Sequence, residues 1–258
     1  VALFSGGHDS ATATLIANES GADTTLHINT GIGVEQTRDY VRATCSNRNW
    51  NLREYKATEN TKADGTPDPQ IYEDIVREHG FPGAPQHYAM YVQLKERQLA
   101  RFERDIRATP VRPVLYISGA RSDESVRRMG NVKPEPQKKG RQVWLNAIHD
   151  FTKKDCSTCM AHCALHRNEV VDLIHKSGEC LCGAFAEPGE LSELEIWFPK
   201  EAKRIRDLEQ ELLPKFPWGW EDHPPAWYKE KNQGQMFMLG YDEFQPLCHR
   251  CNINAVTR

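Results

Sequence analysis

A chain of 258 residues that is 39% hydrophobic can bury one large core, or one core with a small appendage, and no apolar run approaches the roughly 20 residues of a membrane span. With 33 Lys and Arg against 36 Asp and Glu the net charge is -3, which excludes a global electrostatic pull on nucleic acid and leaves only local basic groups to consider. Eight cysteines, at 45, 156, 159, 163, 180, 182, 248 and 251, are spaced too unevenly for a disulfide framework and fit metal ligation or thiol chemistry in a reducing compartment.

No charged-then-apolar leader opens the chain, so the expected location is cytoplasmic with no membrane partner. Val1 stands directly on the first predicted strand, Val1 to Phe4, and a few residues are expected to precede it. That strand runs into Ser5-Gly6-Gly7-His8-Asp9-Ser10 and then an Ala/Thr/Leu/Ile segment of helical character. Strand, glycine turn and helix start in that order make a pocket for phosphate or pyrophosphate, because the turn's amides and the helix N-terminus converge on one point. The loop is neither a Walker A sequence, since no Gly-Lys-Ser/Thr follows, nor a three-glycine dinucleotide fingerprint. The bland alternative is a Gly-Gly turn opening an ordinary helix, with Asp9 as a terminal cap.

Thr24 to Asn29 is a second short strand, ending in Asn29-Thr30-Gly31-Ile32-Gly33, and a helix containing Glu35, Thr37, Arg38 and Tyr40 follows. Polar residues and glycines at the carboxyl end of a parallel strand lie where open α/β sheets bind ligands. Residues 51–57 supply a third strand and 58–70 a polar loop. Residues 71–78 are helical, Gly80-Phe81-Pro82-Gly83 breaks the helix, and 88–107 have the periodicity of a long amphipathic one. His87 and Lys95 are open between nucleotide contact and packed or solvated side chain. Val114 to Ile117 is a compact strand followed by Ser118-Gly119-Ala120-Arg121-Ser122-Asp123-Glu124-Ser125-Val126-Arg127-Arg128, and an arginine just past a strand end suits an anionic ligand lying across the sheet edge. Arg121, Arg127, Arg128, Lys133, Lys138, Lys139 and Arg141 form a basic stretch that would hold nucleotide phosphates or a polynucleotide backbone, or simply be solvated.

The Ser-Gly-Gly-x-Asp-Ser loop at 5–10 is similar to that of the PP-loop ATP pyrophosphatase superfamily. Asn29 to Gly31 with Glu35, the Gly119-x-Arg121-x-x-Glu124-Ser125-x-x-Arg128 element and the strand and turn at 143–150 resemble its phosphoadenosine phosphosulfate (PAPS) reductase-like branch. The resemblance spans about half the chain, in the family's order. It implies an α/β fold of the adenine nucleotide alpha-hydrolase kind, an open mostly parallel sheet flanked by helices over 1–152, with a smaller helical cysteine-bearing region over 153–258. It further implies that Ser5, Gly6, Gly7, Asp9 and Ser10 line the phosphate site, with Asp9 beside Mg2+. Gly31 and Gly33 would keep the second loop close to the nucleotide, and Arg121 and Arg128 would pair with its anionic end; the alternative for Arg128 is an exposed helix residue.

In the second half, Lys153 to His166 reads as a helix with Asp155 as N-cap, and Cys156, Cys159 and Cys163 at i, i+3, i+7 share a face, where they are expected to pack as small hydrophobes. Cys180-Leu181-Cys182 and Cys248-His249-Arg250-Cys251 differ: a CxC and a CxxC supply four thiolates from two compact turns, enough for a [4Fe-4S] cluster or a zinc ion. Reductases of adenosine 5'-phosphosulfate (APS) hold such a cluster with a Cys-Cys pair and a distant CxxC, which favours the cluster here, although this chain has CxC. Those reductases also carry a nucleophilic cysteine in an ECGxH-like tail, and no such tail follows Cys251. Residues 190–213 read as one amphipathic helix laid down through Glu195, Ile196, Phe198, Ala202 and Ile205 and ended by Pro214. Trp218, Trp220 and Trp227 are expected to pack over the metal site, with base stacking as the alternative.

The resulting expectation is an ATP pyrophosphatase that activates an acceptor by adenylylation for sulfur transfer, with a sulfur-donor protein and an acceptor that can be nucleic acid. The alternatives are an APS/PAPS reductase, its nucleophile supplied by Cys156, Cys159 or Cys163 or by a partner thiol reductant, and a nucleotide-gated binding module with a structural metal site.

Overall fold

The computed structural model describes residues 1–122, 133–222 and 224–225. Strand β1 (Ala2–Leu3), helix α1 (His8–Glu19), β2 (Thr25–Asn29), α2 (Glu35–Asn47) and β3 (Leu52–Lys56) form two successive β-α-β units. Helix α3 (Ile71–His79) is followed by α4 (His87–Tyr91), a π-helical turn at Val92–Glu96 and α5 (Arg97–Asp105). Then come β4 (Val114–Ser118), β5 (Gln137–Lys139), β6 (Gln142–Asn146), α6 (Lys153–His162), α7 (Glu169–Ile174), α8 (Glu190–Trp197) and α9 (Pro199–Leu212).

The sheet order is β3-β2-β1-β4-β6-β5, parallel throughout except that β5 runs antiparallel to β6. The chain winds outward from β1 to β3 in one direction and resumes at β4 in the other. The loops after β1 and β4 therefore leave the same carboxyl edge side by side, at the point where such sheets open a ligand crevice. Successive residues point to opposite faces of a strand. Leu3 joins Leu26, Leu99, Phe102, Tyr116 and Trp144 beneath α5, while Phe4 joins Ala11, Leu15, Val41, Met160 and Leu165 beneath α1, α2 and α6. A third, larger core gathers Ile32 and Val34 of the second loop, Tyr72 and Val76 of α3, Leu181 and Cys182, and the buried stripe of α8 and α9 with Trp218 and Trp220.

Four departures from the sequence expectation have local causes. The single helix over 190–213 is two helices, because Pro199 has no N–H to donate and restricts Phe198, whose φ of -137° and ψ of 62° turn the chain. The buried face is accordingly Leu191, Leu194, Phe198, Ala202, Ile205 and Leu208, while Ile196 is 71% exposed and Glu195 pairs with Arg206 at the surface. Asp155 is not the N-cap of α6. Thr152 is, with its Oγ1 accepting from the Asp155 amide and the Asp155 carboxylate accepting from the Thr152 amide. Helix α6 also stops at His162, and Ala164 follows with φ of 48°. Within 88–107 the ladder widens at Val92–Glu96, and Asn60 Nδ2 donates to the Gln93 carbonyl at 3.2 Å. Among the described residues no helix is long and apolar enough to cross a membrane.

Candidate functional site

The first loop folds on itself. Ser10 Oγ donates to the Gly7 carbonyl at 2.8 Å and accepts from the Ser5 amide at 3.2 Å and the Ser5 hydroxyl at 3.0 Å, closing the turn that launches α1. Gly6 has φ of 81°, and a Cβ there would stand 2.5 Å from Thr37 Cγ2, so glycine is required twice over. Helix α1 begins with Gly7 as its cap and no side-chain cap bond, so first-turn amides face the crevice without an intrahelical partner. Asn168 pins the turn from outside: its Nδ2 donates to Gly6 O at 2.8 Å while its Oδ1 caps α7 through the Val170 amide. His8 points toward Arg167 and Asp172; burial, then the Arg167 charge, lower its pKa.

Asp9 and Arg121 form the second wall. Arg121 is 1% exposed, its Nε lies 3.1 Å from Asp9 Oδ2, and its Nη1 donates to Phe151 O at 3.3 Å. Gly119 lets β4 approach α1, since a Cβ on it would stand 2.7 Å from the Ser10 amide nitrogen. Ser122 N donates to His149 O at 2.9 Å and links the loops after β4 and β6. The Cys156 thiol is buried behind this pair, and burial, with the Asp9 carboxylate next in effect, pushes its pKa up to about 12. That shift disfavours the thiolate a nucleophile would need.

The loop after β2 is held from a distance. Segment 177–181 runs along it: Val34 N donates to Gly178 O at 2.8 Å, Leu181 N to Ile32 O at 3.2 Å, and Thr37 Oγ1 to Ser177 O. Glu179, 4% exposed, accepts from the Thr30 amide at 2.9 Å, and its other oxygen lies 3.3 Å from His27 Nε2 and 3.6 Å from Arg38 Nε. Burial is the largest single effect and disfavours a charged His27, but the Glu179 carboxylate, the Phe4 carbonyl and Glu54 together outweigh it and the His27 pKa is raised. Gly33 allows the approach, because a Cβ on it would stand 2.6 Å from the Glu179 carbonyl carbon. Gly31 has φ of 79°, and its carbonyl accepts from Arg204 Nη1 at 2.6 Å. Beneath the loop, Asn29 Nδ2 donates to Glu54 Oε1 at 2.7 Å, and Arg42 holds both Glu54 oxygens.

The structure thus brings Ser5, Gly6, Gly7, Asp9, Ser10 and Arg121 together at the β1/β4 crevice, and places Gly31 and Gly33 in the neighbouring loop. Sequence reasoning missed Asn168, Thr37, His27 and the role of Glu179; only Glu179 carried a signal, its place beside the CxC pair. Arg128, Trp227, Cys248 and Cys251 lie outside the described residues. Cys180 is half-buried and Cys182 buried in a tight turn under Trp220, whose Nε1 donates to Leu181 O at 2.8 Å. Trp218 is buried as well, its Nε1 donating to Phe81 O at 3.0 Å, so both tryptophans pack. His87 is buried with its ring 4.8 Å from that of Phe185. Among the described residues no three His, Cys, Asp or Glu side chains gather around a metal position. The Cys156, Cys159 and Cys163 trio divides: Cys156 packs with Ala13 and Ile148, and the other two against the core around Phe4.

No protein-family model matches the chain, and no curated protein matches it. Among solved structures, the phosphoadenylyl-sulfate (PAPS) reductase from Candida auris in its phosphate complex is similar at 14% identity and a TM-score of 0.47, over 67% of this chain and 78% of that one.

Proposed function

We propose that the chain binds an adenosine sulfonucleotide of the APS or PAPS kind in the β1/β4 crevice, and that thiols cleave its sulfur–oxygen bond. The observation that carries this reading over ATP-dependent adenylylation is the Asp9–Arg121 pair. Adenylylation needs a carboxylate available to a magnesium ion on the ATP phosphates. The Asp9 carboxylate is instead matched at 3.1 Å by a buried guanidinium, whose charge opposes a cation at the same place. What the crevice offers is the glycine turn and the helix N-terminus, which suit an anion without a metal.

In the proposed reaction a thiolate attacks the sulfur, the sulfur–oxygen bond breaks, and its electron pair leaves on the nucleotide phosphate oxygen. AMP or PAP departs and the sulfite group stays on the thiol. A second thiol then displaces sulfite and forms a disulfide, so two thiols are oxidised and one sulfonate is reduced by two electrons. Ser5, Gly6, Gly7 and Ser10 would hold the sulfonate or phosphate end, Gly31 and Gly33 would line the adenosine side, and Arg128 would pair with its charge. Since Cys156 is buried with a raised pKa, the attacking thiol would come from a separate reductant. Cys180 and Cys182 would supply half the thiolates of a cluster or zinc site, with Cys248 and Cys251 the other half; such a group would fasten the C-terminal segment.

Product analysis tests the reading. Sulfite with AMP or PAP, from APS or PAPS and a dithiol, is the expected result. AMP and pyrophosphate from ATP and Mg2+, without sulfite from either sulfonucleotide, would overturn it in favour of adenylylation, and nucleotide binding without turnover would overturn it in favour of a binding module.

A further inference from the structure

The chain carries an excess of acid, with a net charge of -3, yet one face is lined by arginines. Arg97, Arg101 and Arg104 recur at i, i+4 and i+7 on α5. They stand in one row on the side turned away from Leu99 and Phe102, spaced about 4.5–6 Å along the axis. Arg97 and Arg104 are exposed, as are Arg107 and Arg112 in the link from α5 to β4. Arg101 lies 5.5 Å from the centre of the Tyr55 ring and donates to Glu59 at 3.1 Å, which ties the row to the edge strand β3. Among the described residues no carboxylate pairs with Arg97, Arg104, Arg107 or Arg112. The nearby acids are engaged elsewhere: Asp105 accepts from Tyr55 OH, Glu59 holds Arg101, and Glu103 is buried on Arg141.

Arg107 is the informative member. At the end of α5 its amide donates to Arg104 O at 3.0 Å and the Ala108 amide donates to Glu103 O at 2.8 Å. Arg107 thus occupies the left-handed position of the terminating turn, with φ of 55°. Glycine takes that position without a Cβ clash, and arginine does not. The side chain is exposed, so packing does not account for the residue, and the helix dipole is already met by Arg104 in the last turn. Backbone strain of this kind is retained where a side chain serves a purpose. Beyond it, the Arg112 amide donates to Thr109 Oγ1 at 3.0 Å and the Thr109 amide to Arg112 O at 3.1 Å. This closed turn brings Arg112 back to Thr109, two residues past Arg107.

We propose that this arginine row binds the phosphate backbone of a single-stranded polynucleotide without regard to base sequence. Guanidinium groups match phosphate oxygens with paired hydrogen bonds, and the cations of the row are all arginines. A single line of cations follows one strand, whereas a duplex presents two lines of phosphates across a groove. Among the described residues the large apolar side chains exposed beside the row are Ile106 and Val111. They are too few for the apolar, charge-depleted centre of a protein interface, while a polar and positive surface is what a nucleic acid meets. The link bearing Arg107 and Arg112 enters β4 at its amino end, opposite the β1/β4 crevice, and the inference is independent of the sulfonucleotide reading.

The test uses the whole chain and a fluorescein-labelled oligouridylate of about 16 nucleotides, titrated by anisotropy between about 50 and about 200 mM salt. The parent is expected to bind, with log K falling by about 0.7 per log unit of salt for each phosphate neutralised. The variant Arg97→Gln/Arg104→Gln/Arg107→Gln/Arg112→Gln is expected to bind at least about tenfold more weakly at the lower salt and to flatten that slope by about 3. The control Lys138→Gln/Lys153→Gln/Lys154→Gln/Lys200→Gln removes the same charge from exposed positions elsewhere and should change both far less. Arg107→Gly separates binding from folding: it is expected to raise the thermal midpoint, by relieving the left-handed arginine, while lowering the affinity. Parent binding weaker than about 10⁻⁴ M at the lower salt overturns the proposal. So do equal losses in the two multiple variants, unchanged affinity in Arg107→Gly, or tighter binding of a duplex of the same length. Tighter binding of polyglutamate of matched charge overturns it in favour of an acidic protein partner.

Discussion

The two loops at the carboxyl edge are secured in opposite ways. The Ser5–Ser10 turn takes its closing bonds from within itself, Ser5 and Gly7 to Ser10, and among the described residues Asn168, Thr37 and, through Asp9, Arg121 brace it from afar. The Asn29–Val34 loop is fastened mostly from the C-terminal segment, through Gly178, Glu179, Leu181 and Arg204. A turn closed by neighbours acquires its shape early and cheaply in loop entropy, whereas one closed across 149 residues exists only when the fold is complete. Anything that loosens the CxC segment is thus transmitted most directly to the second loop.

The sharpest way to break this contrast is Glu179→Ala. It strips a buried carboxylate from His27, Arg38 and the Thr30 amide, and is expected to cost about 3–5 kcal/mol in denaturant unfolding. Gly33→Ala should follow at about 1–3 kcal/mol, because the obstructing atoms are the backbone of Glu179 and cannot rotate away. Glu54→Gln is expected to cost about 1.5 kcal/mol at neutral pH, from the lost charge on its hydrogen bonds to Arg42. Burial would raise the Glu54 pKa, but Arg42 and Asn29 hold it at about 2 against an ordinary 4.5. That lowered value contributes stability above pH 4.5 that disappears as the pH falls toward 2, so unfolding midpoints measured across this window should fall less steeply in the variant.

Ser10→Ala, in the locally closed turn, is expected to cost only about 1 kcal/mol. A loss equal to that of Glu179→Ala would show that the first loop also depends on the whole fold. At the far end of the scale, Asp39→Asn removes one surface contact to Arg42 from a side chain 67% exposed, and should change stability by less than about 0.5 kcal/mol.

The same contrast explains what the sequence disclosed. Strands, glycine turns and helices of the first half were legible because apolar periodicity and Gly6, Gly7 and Gly31 act over a few residues. The break at Phe198-Pro199 and the Thr152/Asp155 box are equally local and present in the letters; the apolar pattern across 190–213 masks the first, and in the second Asp155 has the same capping chemistry as the Thr152 it bonds to. Strand β5 is three residues of Gln and Lys without an apolar face, and α7 is six residues long, so neither carried enough pattern. The clasp of Glu179 on His27, Arg38 and Thr30 could not be read because nothing within several residues of any of them names the others. Asn168 is equally silent, since the helix it caps is only six residues long.

The widened turn at Val92–Glu96 has its own consequence. Met90 and Leu94 lie in one core and Leu99 and Phe102 in another, and the helix reaches both with a residue more than a regular ladder would use. Shortening the chain by one residue there should let the ladder close while both ends keep their seats, with Asn60 losing its carbonyl. The same excision within α9 would swing every later side chain by about 100°. This stretch behaves as slack in an otherwise taut chain, a place where sequence length can drift without the packed surfaces taking notice.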